Sequence, residues 1–344
     1  MEARRSSRPP TIRDVAARAG VALSSVSRAL SGHPDVSATM KARVETAARE
    51  LGYEPDLLAQ SLRRGSTRTI GFAMRDISNQ LFANVAKSCE QELRRAGYTM
   101  ILTNSDGDML TEAANLDVLR RRRIDGLIVS LVSETSERTT TALRDMDMPI
   151  VLLDREVDGI EASRVLCDHY EGVTEAMESL LRAGHRSIAI VLGEDDVRTA
   201  RERHRAYVDA LASAGVPADD GLVIRGPLDE ASVERRLTPM MARSEPPTAI
   251  LAVGIPATVA ALRASKAAGR TAGVDTAIIA LDEWPFLEDF TNSIAVITRD
   301  PAVMGREAAR LMLQLLDKGK PSTVTVPVRF RANGALSPQP ELAG

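Results

Sequence analysis

Residues 11–30 read TIRDVAARAGVALSSVSRAL, and their spacing decides how the chain begins. Thr11 and Asp14 form a T-x-x-D capping box, which satisfies orphan backbone donors and starts a helix. Ile12, Val15, Ala16 and Ala19 then fall on one face at spacings of three and four. Gly20 supplies a tight turn, and Val21 can pack between two helices. A second short helix, about 23–30, buries Val26, Ala29 and Leu30 and turns Leu23, Ser24, Ser25, Ser27 and Arg28 outward. Small hydroxyls and one Arg at the front of a second helix suit a DNA major groove, where hydroxyls reach phosphates and Arg forks onto guanine. By spacing alone, a small helical hairpin with a solvated polar face fits as well.

Working outward, Ser37 can cap a third helix whose Val44, Ala47, Ala48 and Leu51 form an apolar stripe closed by Gly52. Residues 1–10 read as a disordered basic arm. Pro55 and Asp56 punctuate the chain, and LLAQSLRRGS follows; ten residues are too few for a helix that is stable alone in water. By periodicity, Leu57, Leu58 and Leu62 are ordinary packing residues. The formal charge of −3 hides an asymmetry: residues 1–68 hold twelve Lys and Arg against seven Asp and Glu, and the remainder is acidic. A basic head on an acidic body fits nucleic-acid binding confined to the head.

From residue 67 the pattern becomes strand–helix units. Strand candidates are TIGFAM (69–74), YTMILTNS (98–105), GLIVSLV (126–132), IVLLD (150–154), SIAIVLG (187–193), TAILAV (248–253), AIIALD (277–282) and SIAVITRD (293–300). Near-continuous apolar strands alternating with amphipathic helices indicate parallel sheets covered on both faces. Helical runs end in Ala96-Gly97, Ala183-Gly184, Ala214-Gly215 and Ala268-Gly269, where glycine is the expected left-handed cap. About ten strands with their helices exceed one compact core, so two sheets are expected.

TIRDVAARAGV, SSVSRALSG, VSATMKARVETAARELGYEPD, LAQSLR and RTIGF occur in this order over about seventy residues. Together they resemble the opening of the LacI/GalR (lactose-repressor) family of transcription regulators, and the likeness continues more loosely to about residue 331. The resemblance implies an all-α helix–turn–helix headpiece (11–55), a hinge helix (56–66) and a periplasmic-binding-protein-like α/β core (67–344). That core would have two parallel-sheet subdomains, about 67–167 with 298–328 and about 168–297 with 329–344. It places Leu23 and Ser24 at base-reading positions beside Arg28, and Thr11, Ser27, Ser37 and Tyr53 at phosphates. Ala59 and Leu62 would face DNA, with Leu62 an apolar wedge that kinks the minor groove. One departure is Ala22, where relatives usually have a capping Ser or Thr. Leu23, being apolar, suits a thymine methyl.

Ligands in two-subdomain bodies bind beyond the C-terminal ends of parallel strands. Asp76 and Phe82 follow the first strand, Arg203 sits near the start of a helix, and Asp282 and Trp284 follow a late strand. DISNQLF resembles the family's D-I-x-N-P-F-F segment. The resemblance puts Arg203 on the effector-contacting Arg and Asp282 on the hydroxyl-binding carboxylate, a pair suited to a polyol or acidic sugar. Relatives commonly carry Asn-Asp where this chain has Gly254-Ile255, which removes two polar partners.

The expected whole is a homodimeric, cytoplasmic repressor with operator DNA and a small-molecule effector as partners, and with no membrane contact, cofactor, metal or catalytic residue. The rival is a solute-binding receptor without DNA function. Cys89 and Cys167 lack metal-ligand spacing, the N-terminus has no signal-peptide apolar stretch, and no run of 18 apolar residues occurs. No G-x-S-x-G, H-E-x-x-H, P-loop or G-x-G-x-x-G motif is present.

Overall fold

Asp14 accepts hydrogen bonds at 2.7 Å from both the Thr11 backbone amide and its hydroxyl, and helix α1 (Ile12–Ala19) starts there. Gly20 ends it at φ +62°, a left-handed turn that glycine adopts without strain. Helix α2 (Leu23–Leu30) follows, and α3 (Ala38–Leu51) begins where the Ser37 hydroxyl accepts from the Met40 amide at 3.3 Å. Val15, Val26 and Val44 are completely buried at the centre of the three helices, with Val21 and Tyr53 packed against them. Each such side chain contributes about 1.5–3 kcal/mol by burial.

The computed structural model of the protein describes residues 10–30, 33, 35–53, 65–282, 294–332 and 336. The basic arm to residue 9, the hinge segment with Ala59 and Leu62, Trp284 and the residues after 336 lie outside the described residues. Contacts divide the chain into one unit up to Thr67 and a second from Arg68.

The second unit holds two six-stranded sheets. In chain order the first takes β1 (Thr69–Met74), β2 (Thr99–Asn104), β3 (Gly126–Val129), β4 (Ile150–Leu153), β5 (Ser163–Cys167) and later β11 (Thr323–Val326). Their spatial order is β11-β5-β4-β3-β1-β2, all parallel. The second sheet takes β6 (Ile188–Gly193), β7 (Val223–Arg225), β8 (Ala249–Val253), β9 (Ala277–Leu281), β10 (Ile294–Arg299) and β12 (Val328–Arg331). Its order is β12-β10-β9-β8-β6-β7, with only β12 antiparallel, against β10. The chain passes between sheets after Cys167, again after Arg299, and again between Val326 and Val328. Strand β3 is shorter than the apolar run 126–132. After one more bond, from the Ser130 amide to the Ala73 carbonyl, residues 130–132 turn into a loop.

Helices α4 (Gln80–Arg95), α5 (Met109–Arg121), α6 (Glu137–Arg144) and α11 (Pro301–Leu316) pack with the first sheet. Helices α7 (His169–Arg182), α8 (Arg198–Ser213), α9 (Glu230–Met241) and α10 (Gly254–Ala267) go with the second. The four Ala-Gly helix ends all place glycine at positive φ, from +69° at Gly215 to +92° at Gly184. Arg120 and Arg121, at the end of α5, pair with Asp117 on the surface. No helix among the described residues is long and apolar enough to cross a membrane.

One glycine is required by close approach. A Cβ at Gly305 of α11 would fall on the Val85 carbonyl oxygen of α4, 2.8 Å from the Ser88 Cβ and 2.9 Å from the Cys89 amide nitrogen. Two of the three are backbone atoms and the third is a Cβ fixed directly to the backbone, so the helices must part to admit a methyl. Gly305→Ala is expected to destabilise the core by about 1–3 kcal/mol. Denaturant unfolding followed by circular dichroism checks this, and an unchanged midpoint would refute the contact.

Candidate functional site

In the headpiece, α2 exposes Leu23 (44% exposed), Ser24 and Arg28, while Ser25 and Ser27 are half-buried. Val26 and Ala29 on the opposite face hold the helix to the core. Thr11 and Ser37 stand at helix starts, beside the backbone donors that make such positions good phosphate seats. Ala22 leaves α2 without a side-chain oxygen at its start; its carbonyl accepts from Ser25 and Val26 instead.

The second unit contains a cavity of about 910 Å³ at the C-terminal ends of both sheets. Asp76, Phe82, Arg203 and Asp282 all line it, and the structure thus brings four of the five residues singled out for the effector into one place. Asp76, after β1, is turned onto the amide and hydroxyl of Ser78. Phe82, in the first turns of α4, supplies an apolar wall. The Gly254-Ile255-Pro256 stretch opening α10 forms another wall, and the Val253 cap offers that helix no side-chain hydrogen bond.

The floor is a cluster of buried charges. Arg299, the last residue of β10, reaches both oxygens of Asp282, with Nε to Oδ1 at 3.0 Å and Nη2 to Oδ2 at 3.3 Å. Its Nη1 also pairs with Asp154, which follows β4 of the other sheet. Asp154 accepts from the Cys167 amide at 3.0 Å and lies 2.7 Å from His169 Nε2. Arg203 Nη2 lies 3.4 Å from His169 Nδ1, which fits a neutral imidazole donating from Nε2 and accepting at Nδ1. Arg155 donates to the carbonyls of Leu131 and Asp154. Burial and the nearby Arg203 and Arg299 lower His169 to about 4, against its ordinary 6.5. Burial works against the Asp154 charge, yet its partners hold its carboxyl well below the usual range. With the imidazole uncharged at neutral pH, the compensating charges are those of Arg299 and, at 3.7 Å from the other Asp154 oxygen, Arg198.

Residues 67–333 match the family model described as periplasmic binding proteins and the sugar-binding domain of the LacI family. Residues 11–56 match the model of bacterial regulatory proteins, lacI family. The chain belongs to the LacI family. It is 28% identical to the HTH-type transcriptional repressor PurR of Erwinia tasmaniensis, over 92% of this chain and 94% of that protein. Among solved structures, the regulator CelR in complex with cellobiose is 25% identical, at a TM-score of 0.70, covering 94% of this chain and 98% of that one. The Lac repressor dimer bound to operator and the anti-inducer ONPF shares the fold at a TM-score of 0.82 and 21% identity, covering 96% and 100%.

Within this LacI-family core, sequence reasoning missed Asp154, Arg155, His169 and Arg299. The signal was present: a charged residue stands at the end of several apolar strands, as with Arg75 after β1, Asp154 after β4 and Arg299 closing β10. Glu134 was missed too. It lies in the loop beyond β3, yet it accepts from the Arg198 amide at 2.8 Å and from Arg201 Nη2 at 2.9 Å, both on α8 of the other sheet.

His169 gives a pH dependence with a definite sign. Below about pH 6.5 the unfolded chain takes up a proton that the folded core refuses until about 4. Stability of the core should therefore fall as pH drops through that window, and this group adds nothing above it. His169→Gln should flatten the decline. Urea midpoints measured from about pH 7 to about pH 4.5 check this; an equally steep decline in the variant would contradict the assignment.

Proposed function

We propose that this LacI-family chain is a DNA-binding transcription regulator of repressor type, which binds operator DNA as a homodimer and answers to a small molecule held in the cleft. The observation that carries the proposal is the union in one chain of two features. One is a three-helix headpiece presenting Leu23, Ser24, Ser25, Ser27 and Arg28; the other is a large cleft lined by Asp76, Phe82, Arg203 and Asp282. The relative named a repressor, the neighbour holding cellobiose and the dimeric neighbour on operator support each part of it.

In this scheme Arg28 and the α2 hydroxyls read the major groove, and Leu23 meets a thymine methyl. Thr11, Ser27, Ser37 and Tyr53 hold phosphates, which carry affinity without sequence information. Ala59 and Leu62 meet the minor groove, with Leu62 the wedge. Trp284, two residues beyond Asp282 in the sequence, is proposed as a second aromatic contact for the ligand beside Phe82. Ligand binding shifts the two-sheet core between arrangements and so changes operator affinity. The site works by binding and not by turnover, in the cytoplasm beside its DNA. Burial pushes the Cys167 thiol up to about 12, which suits packing and not nucleophilic attack.

Two-fold symmetry places the recognition helices about 34 Å apart, so random-site selection followed by footprinting should return a pseudo-palindrome. On that site Arg28→Ala should cost about 1–3 kcal/mol and relax the preference at one base pair of each half-site. Affinity of the parent should fall steeply with salt. An asymmetric single half-site, or unchanged base preference in Arg28→Ala, would contradict the proposal.

A further inference from the structure

Among the described residues, one buried guanidinium of the cleft floor has no carboxylate of its own. Arg155, Arg203 and Arg299 are each more than nine-tenths buried. Both carboxylates in the cluster are engaged by arginines other than Arg203: Asp282 by Arg299 through both of its oxygens, and Asp154 by Arg299 through the oxygen it also turns to His169 and by Arg198 at 3.7 Å through the other. Arg203, at 4% exposure, has the side of a neutral imidazole as its hydrogen-bond partner, and its Nε, buried, has no hydrogen-bond partner among the described residues. A guanidinium stays charged at any physiological pH, so an unpaired buried one is a standing cost that an incoming anion removes.

A second group on the same cavity is also unsatisfied. Among the described residues, the Asp196 Oδ1 is buried without a hydrogen-bond partner, and Asp196 lines the cleft. Four of the other acidic groups there are occupied. Asp76 holds Ser78, Asp106 takes the Asn104 amide, Asp229 caps α9 and Glu230 pairs with Arg263. The facing wall of Gly254, Ile255 and Pro256 has no side-chain donor or acceptor. Its uncapped helix start adds a fixed positive partial charge on the cavity.

We propose that the cleft takes a hydroxylated carboxylate of the sugar-acid class, with its carboxylate on Arg203, a hydroxyl donated to Asp196 and its less polar face against Ile255. The proposal rests on the cleft being the regulator's effector site and adds the charge of what enters it. A neutral polyol can satisfy Asp196 but leaves Arg203 with only dipoles, whereas a carboxylate meets the planar fork with two parallel N–H···O bonds. Burial, with Arg299 as neighbour, already lowers Arg203 to about 10, the direction expected of a cation waiting for a counter-charge. A cavity of about 910 Å³ is ample for a six-carbon acid.

The test uses the full-length chain and matched pairs: gluconate against glucitol, and glucuronate against glucose, at equal ionic strength, by titration calorimetry and thermal shift. In at least one pair the acid should bind about tenfold or more tightly than its neutral partner. Arg203→Gln should shrink that preference to about threefold or less. Arg203→Lys, which keeps the charge and the fold but loses the planar fork, should fall between. Asp196→Asn should weaken both members of a pair alike. Equal or tighter binding of the neutral partner, survival of the preference in Arg203→Gln, or no binding of either acid at about 10 mM would overturn the proposal. If a neutral sugar binds and changes operator affinity, the effector-site reading stands and the acid assignment falls. If a bound acid is indifferent to Arg203→Gln and to Phe82→Ala, both fall.

Discussion

One guanidinium ties the two sheets of the core together. Arg299 ends β10 of the second sheet, holds Asp282 just beyond the neighbouring β9, and reaches across to Asp154 beyond β4 of the first. All three side chains are almost wholly removed from solvent. Charges so placed cost several kcal/mol each to desolvate, and they persist only where partners satisfy them. The arrangement meets that condition. Burial opposes the Arg299 cation, but Asp282 and Asp154 outweigh it and hold the group above its ordinary value. Losing one member would strand the others, a loss of about 3–5 kcal/mol in comparable pairs.

The tie sits at the crossovers. Cys167 ends β5 where the chain first leaves the first sheet, and its amide binds Asp154; His169 opens α7 just beyond; Arg299 is the last residue before the chain returns. The same side chains therefore lie at the crossovers between the sheets and on the floor of the cleft. A ligand that meets Arg203 or Asp282 acts on groups already coupled to both sheets. That is the physical requirement for occupancy to favour one arrangement over another. Glu134, gripping the start of α8 from the loop beyond β3, is a second tie across the same gap.

Much of this was legible in the sequence for local reasons. The T-x-x-D box, the Ala-Gly helix ends and the apolar strands act within a few residues, and period and capping chemistry expose them directly. The strands that escaped notice are the atypical ones. SRVLC is broken by Ser and Arg, VIR is three residues long, and TVTV and VRFR are half-exposed edge strands that alternate. Asp76, Phe82, Arg203 and Asp282 were reached because strand ends and family likeness point to the same loops. The Asp154–Arg299 pair spans 145 residues, so no local pattern announces it. It becomes visible only when the topology lays β4 and β10 end to end at the cleft.

The tie can be measured as a distance. Cys89 and Cys167 are buried with thiols pushed up to about 12, so spin labels introduced at Val118→Cys on α5 and Arg235→Cys on α9 will react selectively. Both positions are exposed, one beside each sheet. Double electron–electron resonance on the unliganded protein, with labelled chains diluted into an excess of unlabelled ones so that distances within one protomer dominate, should give one narrow distance distribution. The same pair with Arg299→Met should give a distribution that is broadened or shifted by ~3 Å or more, as the sheets lose their common anchor. An identical narrow distribution in the Arg299→Met protein would show that Arg299 does not set the geometry of the cleft.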